Sequence, residues 1–456
     1  MKKDKFLTLV GGGLAGSEAA WQAAERGVDV VLYEMRPGQS TGAHTGAYLA
    51  ELVCSNSLGS NRIENASGLL KEELRQMGSL LIRCADETAV PAGTALAVDR
   101  DAFARLVTEA ITAHPRITLI REEVKTIPRG VVIIASGPLT SPALSQELMR
   151  LTSNEHLFFY DAIAPIIGVD SINMNIAFRG SRYGRGEYKA GDYINCPLDK
   201  EQYFTFVEEL RQAERIEIND FERDILNGVR AGIHKYFEGC LPVEIIAERD
   251  IMALAYGPMK PVGLIDPHTG RRPYAVVQLR QDNLAGSLYN MVGFQTNLKF
   301  QEQKRVFHMI PGLEDAEFVR FGQMHRNTFI NSPQLLNSTL QLLNRGEIFF
   351  AGQITGVEGY AGNIATGLLA GLNAARFIQG KDLCEMPRTT MTGALCYYVT
   401  HASESDFQPM KANFGILPPL EGEERIIDKM ERKRNYAERA LEDIKRYKSS
   451  SRFQCA

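Results

Sequence analysis

The sequence has no long hydrophobic run and no large excess of one charge. Among its 456 residues no apolar stretch approaches the roughly 20 residues that a membrane-spanning helix needs. The first five residues are mostly charged and lead directly into an apolar strand, without the hydrophobic segment of a secretory signal. The formal net charge is −4, so any nucleic-acid site must be a local basic patch. We therefore expect a cytoplasmic protein with no membrane partner.

Cysteines are few, and their spacing excludes the common metal sites. None of the seven forms a Cys-x-x-Cys pair or lies at metal-ligand spacing from a histidine, so no metal is predicted. A reducing compartment also argues against structural disulfides. The default interpretation of each cysteine is therefore a small buried hydrophobe.

Two cysteines differ from the others in their surroundings. Cys54 lies within residues 35–65, a stretch rich in Gly, Ser, Thr and Asn that predicts a functional loop. A helix over residues 68–78, capped by Ser67, is predicted to follow it. Cys240 lies between a predicted helix and a proline turn. Such turns suit a reactive thiol better than an apolar face does, but the residues alone leave a structural role equally open for both.

The N-terminal pattern is that of a strand, a tight turn and a helix. An apolar run, Phe6–Val10, precedes an alanine-rich helix predicted over residues 14–26. A second strand follows and ends at Glu34, an acid placed to accept hydrogen bonds from an adenosine ribose. The turn has the Gly-x-Gly-x-x-Gly spacing that suits a dinucleotide pyrophosphate, and it consists of Gly11, Gly12, Gly13, Leu14, Ala15 and Gly16.

A second unit of the same kind lies far along the chain. An apolar run over residues 347–351 enters a turn with Gly352 and Gly359, and a helix rich in small residues, suited to packing on a sheet, is predicted from Asn363 to Gln379. The positive end of that helix can face a flavin and stabilise its reduced form. Residues 151–324 lack the alternation of strands and helices. We predict an α/β fold: a Rossmann-like, glutathione-reductase-like FAD-binding domain formed by residues 1–150 and 325–456, with an inserted α+β domain at 151–324.

The C-terminal stretch, residues 425–452, is helical in pattern and strongly basic. It carries ten Lys or Arg against five Asp or Glu. That excess can form a phosphate-binding face. Taken alone, a solvated helix with paired charges is the more ordinary interpretation.

Several stretches closely resemble the folate- and FAD-dependent tRNA (uracil-5-)-methyltransferases, the TrmFO or Gid family. The resemblance extends over most of the chain, to about Gly380, and the cysteine loops are more specific than the glycine turn. One departure is visible, because Ala361-Gly362-Asn363 stands where Val-Glu-Ser is usual. The stretches are residues 10–20, 33–37, 51–57, 236–242, 257–264, 272–280, 292–296, 324–328 and 352–360.

The resemblance implies a two-cysteine mechanism that forms 5-methyluridine at position 54 of the tRNA T-loop. The family's nucleophile falls on Cys240, whose thiolate adds to C6 of the uracil, and Cys54 takes an acid/base role at C5. Methylenetetrahydrofolate supplies the carbon, reduced FAD the hydride, and NADH or NADPH re-reduces the flavin. Tyr360 and His325 are expected to stack on flavin or folate rings. With the family in view, tRNA contacts are expected at Arg432, Lys433 and Arg434.

Two other functions stay open at this stage. The same chemistry can act on a ribosomal RNA uridine. The same fold also hosts small-molecule FAD oxidoreductases, which have no use for paired reactive cysteines or a basic C-terminal stretch. The choice between NADH and NADPH and the oligomeric state, monomer or dimer, are not determined by the residues.

Overall fold

The computed structural model of the chain describes residues 6–39, 41, 43–152, 157–162, 164–184, 191–216, 231–236, 241–322, 324–403, 407–420 and 428–449. For residues 157–162, 231–236 and 324–328 only the backbone is considered. The described helices are α1 (Leu14–Ala24), α2 (Ala66–Gln76), α3 (Leu80–Glu87), α4 (Arg100–Ala113), α5 (Pro142–Thr152), α6 (Lys200–Gln212), α7 (Val243–Arg249), α8 (Ala253–Tyr256), α9 (Phe300–Phe307), α10 (Ser332–Leu335), α11 (Tyr360–Ile378), α12 (Met391–His401) and α13 (Lys429–Ser449).

The described strands are short, as is usual in α/β proteins. They are β1 (Phe6–Val10), β2 (Asp29–Tyr33), β3 (Ser57–Ser60), β4 (Ala89–Val90), β5 (Ala95–Val98), β6 (Ile117–Ile120), β7 (Val131–Ile134), β8 (Leu157–Ala162), β9 (Ile166–Gly168), β10 (Phe178–Gly180), β11 (Tyr193–Leu198), β12 (Ala231–Tyr236), β13 (Ala275–Gln281), β14 (Leu288–Met291), β15 (Phe318–Arg320), β16 (Met324–Phe329), β17 (Gln341–Leu342), β18 (Arg345–Phe350), β19 (Val357–Glu358) and β20 (Met410–Lys411).

A six-stranded sheet combines strands from both ends of the described chain. Its order is β17-β18-β7-β1-β2-β6, and every neighbouring pair is parallel except β17–β18. Strands β1 and β7 are buried almost throughout, which matches their continuous apolar sequences and a sheet covered on both faces. The predicted Rossmann-like α/β fold is confirmed.

Helices α1 and α11 pack against each other at very short range. A Cβ added to Gly367 would lie 2.3 Å from the carbonyl oxygen of Ala15, and one added to Gly371 would lie 2.4 Å from that of Ala19. The small residues of α11 thus serve a helix contact as well as the predicted packing on the sheet. The helix also begins at Tyr360, three residues before the predicted start, because Gly359 turns the chain with φ 82°.

A second, antiparallel sheet has the order β10-β11-β13-β14-β9-β15 and its own hydrophobic core. Helices α6 and α9 cover it, with Phe206 and Phe307 buried in that core. A separate three-stranded sheet, β12-β8-β16, is formed by the backbone alongside. An α+β section between the two halves of the parallel sheet agrees with the predicted insertion, whereas the boundaries at 150 and 324 stay predictions.

The segment before α2 differs from its prediction. Helix α2 begins at Ala66 and Asn65 occupies the cap position, so the assignment of Ser67 as the cap is wrong. The Ser67 hydroxyl instead donates to the carbonyl of Ser60, in strand β3. Residues 35–65 therefore contain a strand within the predicted loop.

Candidate functional site

A cavity opens at the carboxyl ends of β1, β2 and β7, the edge at which parallel α/β sheets bind ligands. Its empty space, with the mouth included, is about 1010 Å³. The predicted cofactor residues found in its wall are Gly11, Gly13, Leu14, Ala15, Glu34, Gly352 and Tyr360.

The three fingerprint glycines have three different environments. Gly11 has φ 102°, and an added Cβ would lie 2.5 Å from the Ala135 carbonyl oxygen. An added Cβ on Gly16 would lie 1.8 Å from the carbonyl oxygen of Gly11, so this position holds helix α1 against the turn. A Cβ on Gly13 would meet no atom within 4 Å, because it would project into the cavity. The arrangement leaves open space where a pyrophosphate would approach the backbone.

Glu34 lies at the end of β2 with both carboxylate oxygens engaged. It accepts hydrogen bonds from the Gly12 amide at 2.8 Å and from the Arg36 amide and Nε at 3.0 and 2.9 Å. Burial raises the pKa of Glu34, but the Arg36 charge and these hydrogen bonds outweigh burial and hold the pKa below its ordinary value. The carboxylate is therefore ionised and can accept further hydrogen bonds from a ribose.

The first turn of α11 presents donors and one buried acceptor to the cavity. The Asn363 amide donates to Gly359 at 3.1 Å, so the amides of residues 360–362 have no acceptor within the helix. Asn363 is 8% exposed and lines the cavity, and its Oδ1 has no hydrogen-bond partner among the described residues. A buried acceptor without a partner suits a ligand that carries a donor. A flavin dinucleotide fits this end of the cavity, because its N–H and ribityl hydroxyl groups can donate to Asn363 Oδ1 and its ring carbonyl oxygens can accept from the free amides of the helix.

The loop that carries Cys54 is tied to the same helix. The Tyr360 hydroxyl oxygen accepts hydrogen bonds from the amides of Cys54 and Ser55, at 2.9 and 3.0 Å. Burial raises the pKa of Tyr360, and the neighbouring Cys54 raises it further, so the side chain is a neutral hydroxyl. Cys54 is half-buried, and its neighbour Val53 lines the cavity.

Two arginines that the sequence analysis did not single out hold this loop from the other side. Arg280 of β13 donates from Nη2 to the Ser55 hydroxyl at 2.6 Å and from Nε to Asn56 Oδ1 at 3.0 Å. Arg100 donates to the Leu52 carbonyl at 2.8 Å and forms an ion pair with Asp282. The loop is therefore held by side chains from helix α4 and strand β13 as well as by Tyr360 of α11. Arg280 lies within a stretch that carries the family resemblance, but no local pattern indicates its partner.

Cys240 lies outside the described residues, which resume at Leu241. The element before it is strand β12, so the prediction of a helix there is wrong. After it, the Val243 amide donates to the carbonyl of Gln295 at 2.7 Å. Strand β8 pairs with β12 on one side and with β16, which carries His325, on the other. The backbone thus brings the approach to Cys240 and the His325 strand into one small sheet.

Helix α13 has one buried face and one charged face. Its residues Tyr436, Ala437, Ala440, Ile444 and Tyr447 belong to the same hydrophobic core as α2. Arg434 is exposed and lies 3.9 Å from Glu64, while Arg432 and Lys433 are partly exposed. These three basic residues do not line the cavity, so any contact with RNA would be made at a separate surface.

The other described cysteines are buried, as their sequence surroundings predict. Burial raises the pKa of Cys84 and Cys396 to about 12, which makes their thiols unreactive at neutral pH. Within the part of the chain that the structure describes, no group of His, Cys, Asp or Glu is arranged to hold a metal ion. Across the same residues, no helix combines the length and apolarity needed to cross a bilayer.

Known proteins similar to this chain have been found at the level of sequence and fold. The profile of the family described as glucose inhibited division protein A matches residues 7–382. A protein of Pelotomaculum thermopropionicum, named methylenetetrahydrofolate--tRNA-(uracil-5-)-methyltransferase TrmFO, is 59% identical over 98% of this chain and 99% of its own length. The protein of that name from Halalkalibacterium halodurans is 56% identical over 97% of this chain and 98% of its own length. The crystal structure of GidA from Aquifex aeolicus superposes with a TM-score of 0.68 at 15% identity, over 97% of this chain and 73% of that one, which is a likeness of fold.

Proposed function

This chain belongs to the TrmFO family of GidA-related proteins, and we propose from that membership that it is a methylenetetrahydrofolate-dependent tRNA (uracil-5-)-methyltransferase with FAD as its cofactor. The observation that carries the proposal is the position of Cys54. Its loop forms part of the wall of the cavity at the parallel sheet and is hydrogen-bonded to Tyr360 at the start of α11. A thiol beside a flavin site is what this methyl transfer needs and what a simple hydride-transfer enzyme does not.

We assign the cofactor to the cavity at the parallel sheet. The turn of Gly11, Gly12, Gly13, Leu14, Ala15 and Gly16 would hold the pyrophosphate, and Glu34 would accept hydrogen bonds from the ribose. Gly352, Gly359 and Tyr360 would surround the flavin end. When bound, FAD supplies the hydride that completes the methyl group.

The two cysteines have different roles in the reaction at the uracil. The Cys240 thiolate adds to C6, and the electron pair of the C5–C6 double bond moves toward C5 and O4, which makes C5 a nucleophile. C5 then takes the methylene carbon of methylenetetrahydrofolate, Cys54 accepts the proton that C5 gives up, and tetrahydrofolate leaves, so that C5 carries a methylene group that hydride from reduced FAD would convert to methyl. Loss of the Cys240 thiolate from C6 restores the double bond and frees the enzyme. Tyr360, through its hydrogen bond to the Cys54 amide, orients the loop that presents this thiol.

The finer assignments follow the same family pattern. NADH or NADPH would reduce the flavin, His325 would pack against the folate, and the target would be uridine 54 of the tRNA T-loop. We also propose a cytoplasmic location, where folate, tRNA and reduced nicotinamide occur together.

The direct test is incubation of the purified protein with an unmodified tRNA transcript, carbon-labelled methylenetetrahydrofolate and NADPH, followed by nucleoside analysis. Labelled 5-methyluridine is expected, and replacing the folate with S-adenosylmethionine should give none. A parallel reaction with NADH tests the reductant. Product from a ribosomal RNA fragment but not from the tRNA transcript would show that ribosomal RNA is the substrate. No product from either RNA would overturn the proposal.

A further inference from the structure

Arg280 is a buried cation whose hydrogen bonds go to neutral oxygens. It is 8% exposed, and its side chain donates to Asn56 Oδ1 at 3.0 Å and to Ser55 Oγ at 2.6 Å. The acid two residues later, Asp282, forms its ion pair with Arg100 instead, at 3.0 Å. Burying a charge without an ionic partner costs free energy, and charged groups held in this way are concentrated at functional sites.

The guanidinium is fixed in place and still has a donor to offer. Nε and Nη2 are used by the Cys54 loop, while Nη1 has no acceptor among the residues that the structure describes. Its partner Asn56 is fully buried, and Asn56 Nδ2 donates to the carbonyls of Val98 and Gln281 at 3.0 and 2.9 Å. Arg280 is thus held in one orientation with one nitrogen unused.

A second unused donor lies on the neighbouring strand. Asn290 of β14 pairs directly with Arg280 of β13, and residues paired in this way have side chains on the same face of a sheet. Tyr289 and Met291 lie in the hydrophobic core on the other face. Asn290 is 2% exposed, and its Nδ2 has no hydrogen-bond partner within the described part of the chain. Two neighbouring donors without acceptors suit a ligand oxygen, above all one that carries negative charge.

Arg280 lies beside the thiol that is proposed to act at C5 of the uracil. Ser55, which accepts a hydrogen bond from Arg280, directly follows Cys54 in the loop. Burial lowers the pKa of Arg280, and the charge of Cys54 is among those that raise it, so the two side chains lie within electrostatic reach. O4 of uracil is attached to the carbon next to C5. A uracil with C5 at Cys54 therefore brings O4 toward the unused donors.

We propose that Arg280, with Asn290 as a second donor, binds O4 of the target uracil and stabilises the negative charge that develops there when Cys240 adds to C6. This inference rests on the proposed function, because it takes uracil as the substrate. In this step the S–C6 bond forms, the electron pair of the C5–C6 double bond moves toward C5 and O4, and no proton is transferred. Donors fixed in advance where charge develops accelerate such a step, and removing one typically costs about 100- to 1,000-fold in rate.

The test isolates the addition step by removing the base that acts after it. In Cys54→Ala the covalent species between Cys240 and labelled unmodified tRNA should accumulate, and denaturing electrophoresis follows its rate of formation. Adding Arg280→Gln to this background should slow formation by about 100-fold. A residue that only positioned the Cys54 loop would not affect this rate, because the thiol of that loop is already absent.

Arg280→Lys separates the charge from the loop contacts. Lysine keeps a cation but lacks the planar fork that bonds Ser55 and Asn56 together, so both substitutions weaken the loop and only Lys retains a charge for O4. The covalent species should form at least about tenfold faster with Lys than with Gln. Equal rates in the two variants, at wild-type affinity for tRNA, would overturn the proposal.

Asn290→Leu provides a variant that should fold well. Replacing a buried, unpartnered amide with an apolar side chain of similar size removes a desolvation cost, so the thermal midpoint should equal or exceed that of the wild type. Formation of the covalent species should nevertheless slow by about tenfold in the Cys54→Ala background. A merely structural amide would give the opposite pattern, a lower midpoint with an unchanged rate.

The outcomes distinguish this inference from the function on which it rests. An unchanged rate in both Arg280→Gln and Asn290→Leu would overturn the inference while the wild type still methylates tRNA. An unchanged rate in Asn290→Leu alone would remove Asn290 from the site. A wild-type protein that forms no 5-methyluridine would instead overturn the proposed function.

Discussion

The hydroxyl oxygen of Tyr360 accepts a hydrogen bond from the backbone amide of Cys54 at 2.9 Å, across 306 residues of sequence. A second bond, from the Ser55 amide, is 3.0 Å long. Tyr360 is also the first residue of α11, whose N-terminal turn faces the cavity. The helix that would face the flavin is therefore connected directly, by two hydrogen bonds, to the loop that carries the thiol.

Removing this hydroxyl should loosen the loop without emptying the cavity. Tyr360→Phe leaves the Cys54 and Ser55 amides without their acceptor, so we expect faster hydrogen exchange over residues 53–57. Methylation should fall by about 10- to 100-fold, since small displacements of a reacting group carry large rate effects. Tyr398→Phe, whose hydroxyl donates to Gln408 away from the cavity, is the matched control. Full activity with unchanged exchange would show that the loop does not depend on Tyr360.

The fingerprint glycines provide a matched pair for cofactor binding. Gly13→Ala places its methyl group in open space, so the protein should fold normally but bind FAD weakly, because the methyl occupies the approach of the pyrophosphate. Gly16→Ala would drive its methyl into the Gly11 carbonyl and should lower the thermal midpoint of the protein itself. FAD titration and thermal unfolding measure the two effects. Purified wild-type protein should be yellow. Unchanged FAD affinity in Gly13→Ala would show that the cofactor does not bind at this turn.

The two cysteine variants should fail at different steps. Cys240→Ala should abolish methylation and leave FAD binding intact, because its thiolate acts on the uracil. Cys54→Ala should also stop turnover, but it can still accumulate a covalent protein–RNA species through Cys240. Denaturing electrophoresis with labelled tRNA detects that species. Near wild-type methylation by Cys240→Ala would refute the nucleophile assignment.

The charged face of α13 should contribute to RNA affinity separately from its packed face. Changing Arg432, Lys433 and Arg434 together to Gln should raise the apparent KM for tRNA and flatten its salt dependence, through loss of phosphate contacts. Flavin reduction should be unaffected, since no RNA takes part in it. The same change at the exposed residues Lys445, Arg446 and Lys448 tests whether position on the helix matters. Equal loss in both half-reactions would mean that the triple change disturbs the packing on α2.

Glu73 should make the stability of the fold depend on pH. It is fully buried on α2 and accepts hydrogen bonds from the amides of Met391 and Thr392, at 2.7 and 2.9 Å. Burial raises its pKa from 4.5 to about 7, so between these values the folded state holds a proton that the unfolded state has released. Its contribution to stability is thus largest below pH 4.5 and is lost as the pH rises toward 7.

Glu73→Gln removes this titration and provides the comparison. The stability of the wild type relative to the variant should fall between pH 4.5 and 7, by at most about 3 kcal/mol. Urea unfolding followed by circular dichroism at several pH values measures it. If the stability of the wild type relative to Glu73→Gln instead increased with pH, the ionised carboxylate would be the favoured partner of the α12 amides.

Local spacing was sufficient to predict the first strand, the glycine turn and the helix that follows it. The apolar run and the glycine spacing predicted β1, the turn and the start of α1, because a strand, a tight turn and the following helix are set within a few residues. Errors arose where a distant or single backbone feature decided the outcome. Helix α11 starts early, directly after Gly359 with its positive φ, and α2 starts at Ala66 with Asn65 at the cap, while the Ser67 hydroxyl bonds to strand β3.

The sequence by itself determined the fold class, the glycine turn between β1 and α1 and the two cysteines worth testing, since these follow from residue type and short-range spacing. Only the tertiary structure decided which side chains hold the Cys54 loop. Tyr360 and Arg280 reach it from elements more than 200 residues away in sequence, at 2.9 Å from the Cys54 amide and 2.6 Å from the Ser55 hydroxyl. Hydrogen bonds require contact within about 3 Å, and contacts between distant segments are set by how sheets and helices pack, which no local pattern encodes.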